Sequence, residues 1–125
     1  MAAGTVAIVW LEPKDFTLHN ASTANDTGTT VDLGAKYASL TLQVKVASSW
    51  DGTGTFQGSQ DGTNFIAVEV INRNSGARVT TATADAIFET SVVGLKKFRF
   101  SIASRTTGNV TVTATATSSP VSVRA

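Results

Sequence analysis

The sequence predicts an all-β fold: an antiparallel β-sandwich of jelly-roll or immunoglobulin-like type, with about seven to nine strands and extended termini. Three observations predict it. Apolar and polar residues alternate with period two over residues 40–47, 97–102 and 110–117, the pattern of strands with one face in a core and the other in water. Turn-forming Gly, Asn, Asp and Pro recur about every ten residues, the spacing of an antiparallel sandwich. No stretch carries the sustained apolar period of a helix.

Taken in order, residues 6–11 are apolar on both faces, with Val6, Ile8 and Trp10 on one and Ala7, Val9 and Leu11 on the other. A strand covered on both sides reads this way, here by the core and by a neighbouring subunit. Pro13 ends it, having no N–H for the ladder. Residues 15–19 read as a short strand with Phe16 and Leu18 inward, and the polar residues 20–30 as an exposed loop. Residues 31–33 are a brief extended piece closed by Gly34. In residues 37–47, Leu40, Leu42, Val44 and Val46 share one face.

The chain is organised around residues 50–71, which hold Asp51-Gly52 and Asp61-Gly62. Asp-Gly suits the φ > 0 positions of tight hairpin turns. A strand over 53–60, with Phe56 inward, and a longer one over 65–72, with Ile66, Val68 and Val70 on one face, make a hairpin centred on Asp61-Gly62. Asn74-Ser75-Gly76 turns the chain into a Thr-rich extended piece over 78–84. Residues 86–90 form a strand with Ile87 or Phe88 inward. Residues 97–103 put Phe98, Phe100 and Ile102 in and Lys97, Arg99 and Ser101 out. After a turn at 107–109, Val110, Val112, Ala114 and Ala116 face in. The expected core is Leu40, Leu42, Val44, Phe56, Val68, Phe98, Phe100, Ile102 and Val112. Residues 1–12 read as an arm and first strand, 13–117 as the sandwich and 118–125 as a tail, one domain in all.

Composition bounds the function. The 125 residues contain no cysteine, so neither disulfides nor thiolate metal sites are expected. A net charge of +1 gives no electrostatic reason to expect nucleic acid or a membrane surface as partner. Charged residues make up 15% of the chain, well under the usual quarter, and such a surface suits burial against neighbours as well as a plain sandwich. No long apolar run reads as a membrane span, and residues 1–5 lack the basic-then-apolar order of a signal peptide.

No catalytic constellation emerges. His19 is the single histidine, with no nucleophile elbow to accompany it, so no catalytic residue, metal or cofactor is expected. Asp51 and Asp61 lack the spacing of a calcium loop and read as turn formers. Lys96, Lys97 and Arg99 form a small basic cluster, read as a solvated strand face in preference to a phosphate site. Trp10, Tyr37 and Trp50 are candidates for an aromatic sugar platform, with core packing or an intersubunit anchor the favoured reading. With Val6 and Ile8 they make up the candidate interface.

The run 54–65, Gly-Thr-Phe-Gln-Gly-Ser-Gln-Asp-Gly-Thr-Asn-Phe, resembles a motif of small structural proteins of tailed bacteriophages. In those proteins a strand ending in Ser-x-Asp-Gly is followed by a small residue and an aromatic. Residues 98–102 and 108–112 are similar to their closing hairpin. The resemblance implies a non-enzymatic β-sandwich of the virion, assembled in the host cytoplasm and most like a capsid decoration (cement) protein. Its implied partners are the major capsid protein or another virion protein, and copies of itself, with a trimer the expected arrangement. The alternative is a tail or fibre module that binds host carbohydrate, with Trp50 or Tyr37 in an open groove.

Overall fold

Thr, Val, Ile and Phe dominate the alternating segments because their branched or flat side chains fit a pleated surface, and each such segment forms a strand. In this computed structural model residues 12–118 are described in full, together with the backbone strands Val6–Val9 and Val121–Arg124. Thirteen strands result among the described residues. They are β1 (Val6–Val9), β2 (Lys14–Ser22), β3 (Val31–Asp32), β4 (Ser39–Ala47), β5 (Thr53–Ser59), β6 (Ile66–Ala67), β7 (Val70–Asn72), β8 (Arg78–Val79), β9 (Thr81–Ala82), β10 (Ala86–Ser91), β11 (Lys97–Ala103), β12 (Asn109–Thr117) and β13 (Val121–Arg124). The count exceeds the expected seven to nine because five of the strands, β3 and β6 to β9, are only two or three residues long.

Two antiparallel sheets face each other. One has six strands in the order β2-β12-β4-β10-β7-β8, and the other runs β3-β11-β5-β6 with β9 also on β5. β1 and β13 pair with each other as a separate two-stranded ribbon, from Val6 opposite Arg124 to Val9 opposite Val121. The side chains of Val6, Ile8 and Trp10 lie outside the described residues. No helix among the described residues is long and apolar enough to cross a membrane.

The core sits between the sheets, as the alternation requires. Leu40, Leu42 and Val44 of β4, Val110, Val112, Ala114 and Ala116 of β12, and Phe98, Phe100 and Ile102 of β11 are all buried. Three rings tie the layers together: Phe56 of β5 lies 4.9 Å from Phe88 of β10 and 5.0 Å from Phe100 of β11, centroid to centroid. In β10 it is Phe88 that is buried, while Ile87 is half-buried.

Two segments depart from simple alternation. In β2 both Leu18 and His19 are buried. The register against β12 passes from Thr17 opposite Thr113 to His19 opposite Val112. One residue of β2 is therefore extra, a bulge that aims His19 inward beside Leu18. Residues 65–72 are not one strand. β6 pairs with β5 in one sheet, and β7 pairs with β10 and β8 in the other. The chain crosses between sheets at Val68 and Glu69, and this corner breaks the expected face. Val70 is buried, Val68 is only partly buried, and Ile66 is 73% exposed.

Candidate functional site

The hairpin at Asp61-Gly62 closes through a six-residue loop, residues 60–65, because β5 ends at Ser59 and β6 begins at Ile66. Gly62 takes φ +84°, which a side chain rarely adopts. The Asp61 carboxylate organises the loop. It accepts the backbone N–H groups of Thr63 and Asn64, each at 2.8 Å, the Asn64 amide at 2.7 Å and the Ser59 hydroxyl at 2.9 Å. These bonds favour the charged form. The N–H of Asn64, then that of Thr63, hold its pKa far below the ordinary carboxylate range.

Asp51 does the same work at the other end of the sandwich. It accepts the N–H of Thr106 at 2.8 Å, the N–H of Thr107 at 3.0 Å and the hydroxyl of Thr106. The residues of this turn with left-handed backbone are Ser48 and Ser49, at φ 56° and 59°, and not Gly52. Gly52 is needed for space: a Cβ there would sit 2.7 Å from Cζ2 of Trp50. Both carboxylates face N–H and O–H donors, so neither is arranged to hold a cation. Among the described residues no group of three or more His, Asp or Glu is placed to bind a metal.

The Thr106 hydroxyl, then the N–H of Thr107, pull the Asp51 pKa down to about 2. An unfolded Asp titrates near pH ~4. A depressed carboxylate contributes stability that is complete above the unfolded value and is lost as the pH falls through the folded one. Asp51→Ala is therefore expected to lower Tm at pH ~6, with the difference from wild type shrinking as the pH drops from ~4 towards about 2. Thermal melts across that window check it; a constant difference would mean that the charge of Asp51 contributes nothing.

Tyr37 and Trp50 are 5% and 7% exposed, members of the chain's own core, so neither presents an open ring to a sugar. His19 is buried as well. Its Nε2 lies 2.5 Å from the Phe100 carbonyl, and a carbonyl only accepts, so the ring carries its proton on Nε2. Nδ1 lies 3.9 Å from the Asp26 carboxylate. His19 thus ties the 23–30 loop to β11.

The open features gather around β6 instead. A groove of about 510 Å³ runs along Gly58, Asp61, Ile66, Val68, Leu95 and Lys96. Ile66, and Val93 in the turn before Leu95, are 73% and 72% exposed. β6 is an edge strand, and the strand before the sheet change supplies this surface. The outer face of β11 adjoins it: Arg99 stacks on Phe65, with Cζ 3.9 Å from the ring centroid. The basic cluster of the sequence is thereby split. Lys97 and Arg99 share the outer face of β11, while Lys96 lines the groove.

A family model described as XepA matches residues 12–116. No curated protein matches the chain. Among solved structures, the fold is similar to that of the SPBc2 prophage-derived protein YomS, with a TM-score of 0.78 and 22% identity over 86% of this chain and 94% of that one. It is also similar to the PBSX exported protein XepA, with a TM-score of 0.79 and 18% identity over 86% of this chain. The chain spans 38% of the length of that XepA structure.

Proposed function

The chain belongs to the XepA family, and from that premise we propose a phage-associated, non-enzymatic structural protein that acts by packing against copies of itself and a larger surface. The prophage origin of YomS supports the phage association. The observation that carries the assembly is the β1–β13 ribbon, a two-stranded sheet joined to neither sheet of the sandwich. A two-stranded ribbon is marginal alone in water, and both its edges carry open N–H and C=O groups. Strand addition by a neighbour satisfies them. The finer reading is a capsid decoration protein, grouped around a local symmetry axis as a trimer, with the major capsid protein beneath it.

XepA is an exported protein, and this favours a second reading, in which the assembled sandwich works outside the producing cell and apart from the particle. Carbohydrate adhesion through Trp50 or Tyr37 is disfavoured by their burial. One experiment separates the readings. Full-length protein and a variant lacking residues 1–9 are compared by sedimentation velocity and by co-sedimentation with purified particles lacking the protein. The truncated protein is expected to keep its melting transition but to lose self-association and particle binding together. Retained assembly would overturn the role of the ribbon. Assembly by the full-length protein without particle binding, with the protein found in the particle-free medium, would favour the second reading.

A further inference from the structure

The outer face of β11 holds a positive group that the fold has fixed and left unmatched. Arg73 faces Glu89 at 3.8 Å, Arg78 faces Glu69 at 3.3 Å and Lys45 faces Asp85 at 2.7 Å, all around the six-stranded sheet. Arg99 has no carboxylate partner among the described residues. Its Nε donates to Gln57 Oε1 at 2.7 Å, across the β5–β11 ladder. Its guanidinium lies over Phe65. These two contacts set the plane and direction of a half-buried group, while neither Nη has a hydrogen-bond partner among the described residues. Much of the rotamer entropy of binding is thus lost before a ligand arrives.

The surroundings add donors of the right kind. Lys97 stands two residues along the same face, roughly 7 Å away at the rise of a strand, and makes no ion pair among the described residues. Ser101 stands two residues the other way, opposite Thr55, so hydroxyls flank the second side. Asp32 is the cross-strand neighbour of Lys97, and Asp61 lies in the loop whose Gly62 runs beside the Lys97 stem. The Asp61 carboxylate is already committed to Ser59, Thr63 and Asn64. Both acids lie on the Lys97 side, so the exposed end of Arg99 is the more positive part of the face.

We infer that Arg99, held by Phe65 and Gln57 and assisted by Lys97 and Ser101, is a binding site for a phosphate group. An arginine fork matches two oxygens of a phosphate, and a second cation with a hydroxyl reaches the remaining ones. A carboxylate engages both its oxygens in the fork and has no third oxygen or second charge for those further donors. The chemistry is shared by a soluble phosphate ester and a phospholipid headgroup.

The test follows the Arg99 Nε–H signal and the backbone amides of β11 by NMR, in full-length protein, during titration with glycerol 3-phosphate. Sodium acetate at matched ionic strength is the control, since exposed charges respond to salt alone. A saturable shift of Arg99, Lys97 and Ser101 is expected with the phosphate ester and not with acetate. Arg99→Gln should weaken binding at least about tenfold, and Arg99→Lys should restore little of it because the fork is lost. Phe65→Leu should weaken binding while leaving Tm near wild type, which a merely structural role for the stack would not do. Sedimentation with phosphatidylglycerol vesicles against phosphatidylcholine vesicles separates the sources: Arg99-dependent capture assigns the site to a lipid headgroup, and its absence beside the soluble response assigns it to a free ester. Equal shifts with acetate, or unchanged binding by Arg99→Gln, would overturn the site.

Discussion

Phe100→Ala is expected to lower the unfolding free energy by about 3–5 kcal/mol, the range for truncating a buried aromatic. Phe100 is fully buried in β11. Its ring meets Phe56 edge-on with centroids 5.0 Å apart and His19 at 5.9 Å, so the change removes two ring contacts as well as the burial itself. The residue beneath the ring on β5 is Gly54, which has no side chain to move into the space. The cavity therefore stays open, and its surface adds to the transfer loss. Urea unfolding with an unchanged m-value checks it. A loss below about 1 kcal/mol would place Phe100 at the surface, one residue out of register with the rest of β11.

Where one face of a strand is core and the other is water, the sequence made the fold legible. β11 spans Lys97–Ala103, the same residues the sequence marks as a strand, because its inward positions are Phe or Ile and Lys97, Arg99 and Ser101 face out. β4 and β12 are equally readable. Residues 65–72 were not, since the change of sheet at Val68 and Glu69 depends on two partners distant in sequence, β5 on one side and β10 on the other. Ile and Val there look like any buried face. The bulge that brings His19 inside leaves no local mark for the same reason: its cause is the register against β12, some ninety residues away.

The candidate surface was legible in part. The cluster of Lys97 and Arg99 is plain in the sequence, yet its meaning rests on Phe65 lying over Arg99 and on Gln57 standing opposite, both supplied by tertiary pairing. One signal was available. Gln57 and Arg99 fall on outward positions of two strands that each looked amphipathic, and pairing those strands directly would have put them within reach. Trp50 and Tyr37 lie in the core, within the reading the sequence favoured over a sugar platform: Gly52 and Gly108 leave room for the Trp50 ring and backbone, and the end of the sandwich closes over it.

Gly54 should be the least replaceable glycine of β5, for reasons of space and not of backbone freedom. Its φ is not positive, yet a Cβ built on it falls within the ring of Phe100, a side chain too well packed to swing aside. Gly54→Ala is therefore expected to cost roughly 3 kcal/mol, the upper end for an overpacked core. Gly76 offers the opposite case: it has φ +78° and nothing within 4 Å of its added Cβ, so Gly76→Ala should cost only about 1 kcal/mol through strain. The two glycines thus separate steric from conformational demand within one protein. The clash also predicts coupling. Phe100→Leu shortens the ring side chain and frees room above β5, so the double variant Gly54→Ala with Phe100→Leu should lose less than the sum of its parts, by about 1–3 kcal/mol. Urea unfolding of the four proteins gives that term directly. Additive losses would mean that Phe100 does not pack on Gly54, and the β5–β11 register, with Phe100 opposite Phe56 and Ile102 opposite Gly54, would have to be redrawn.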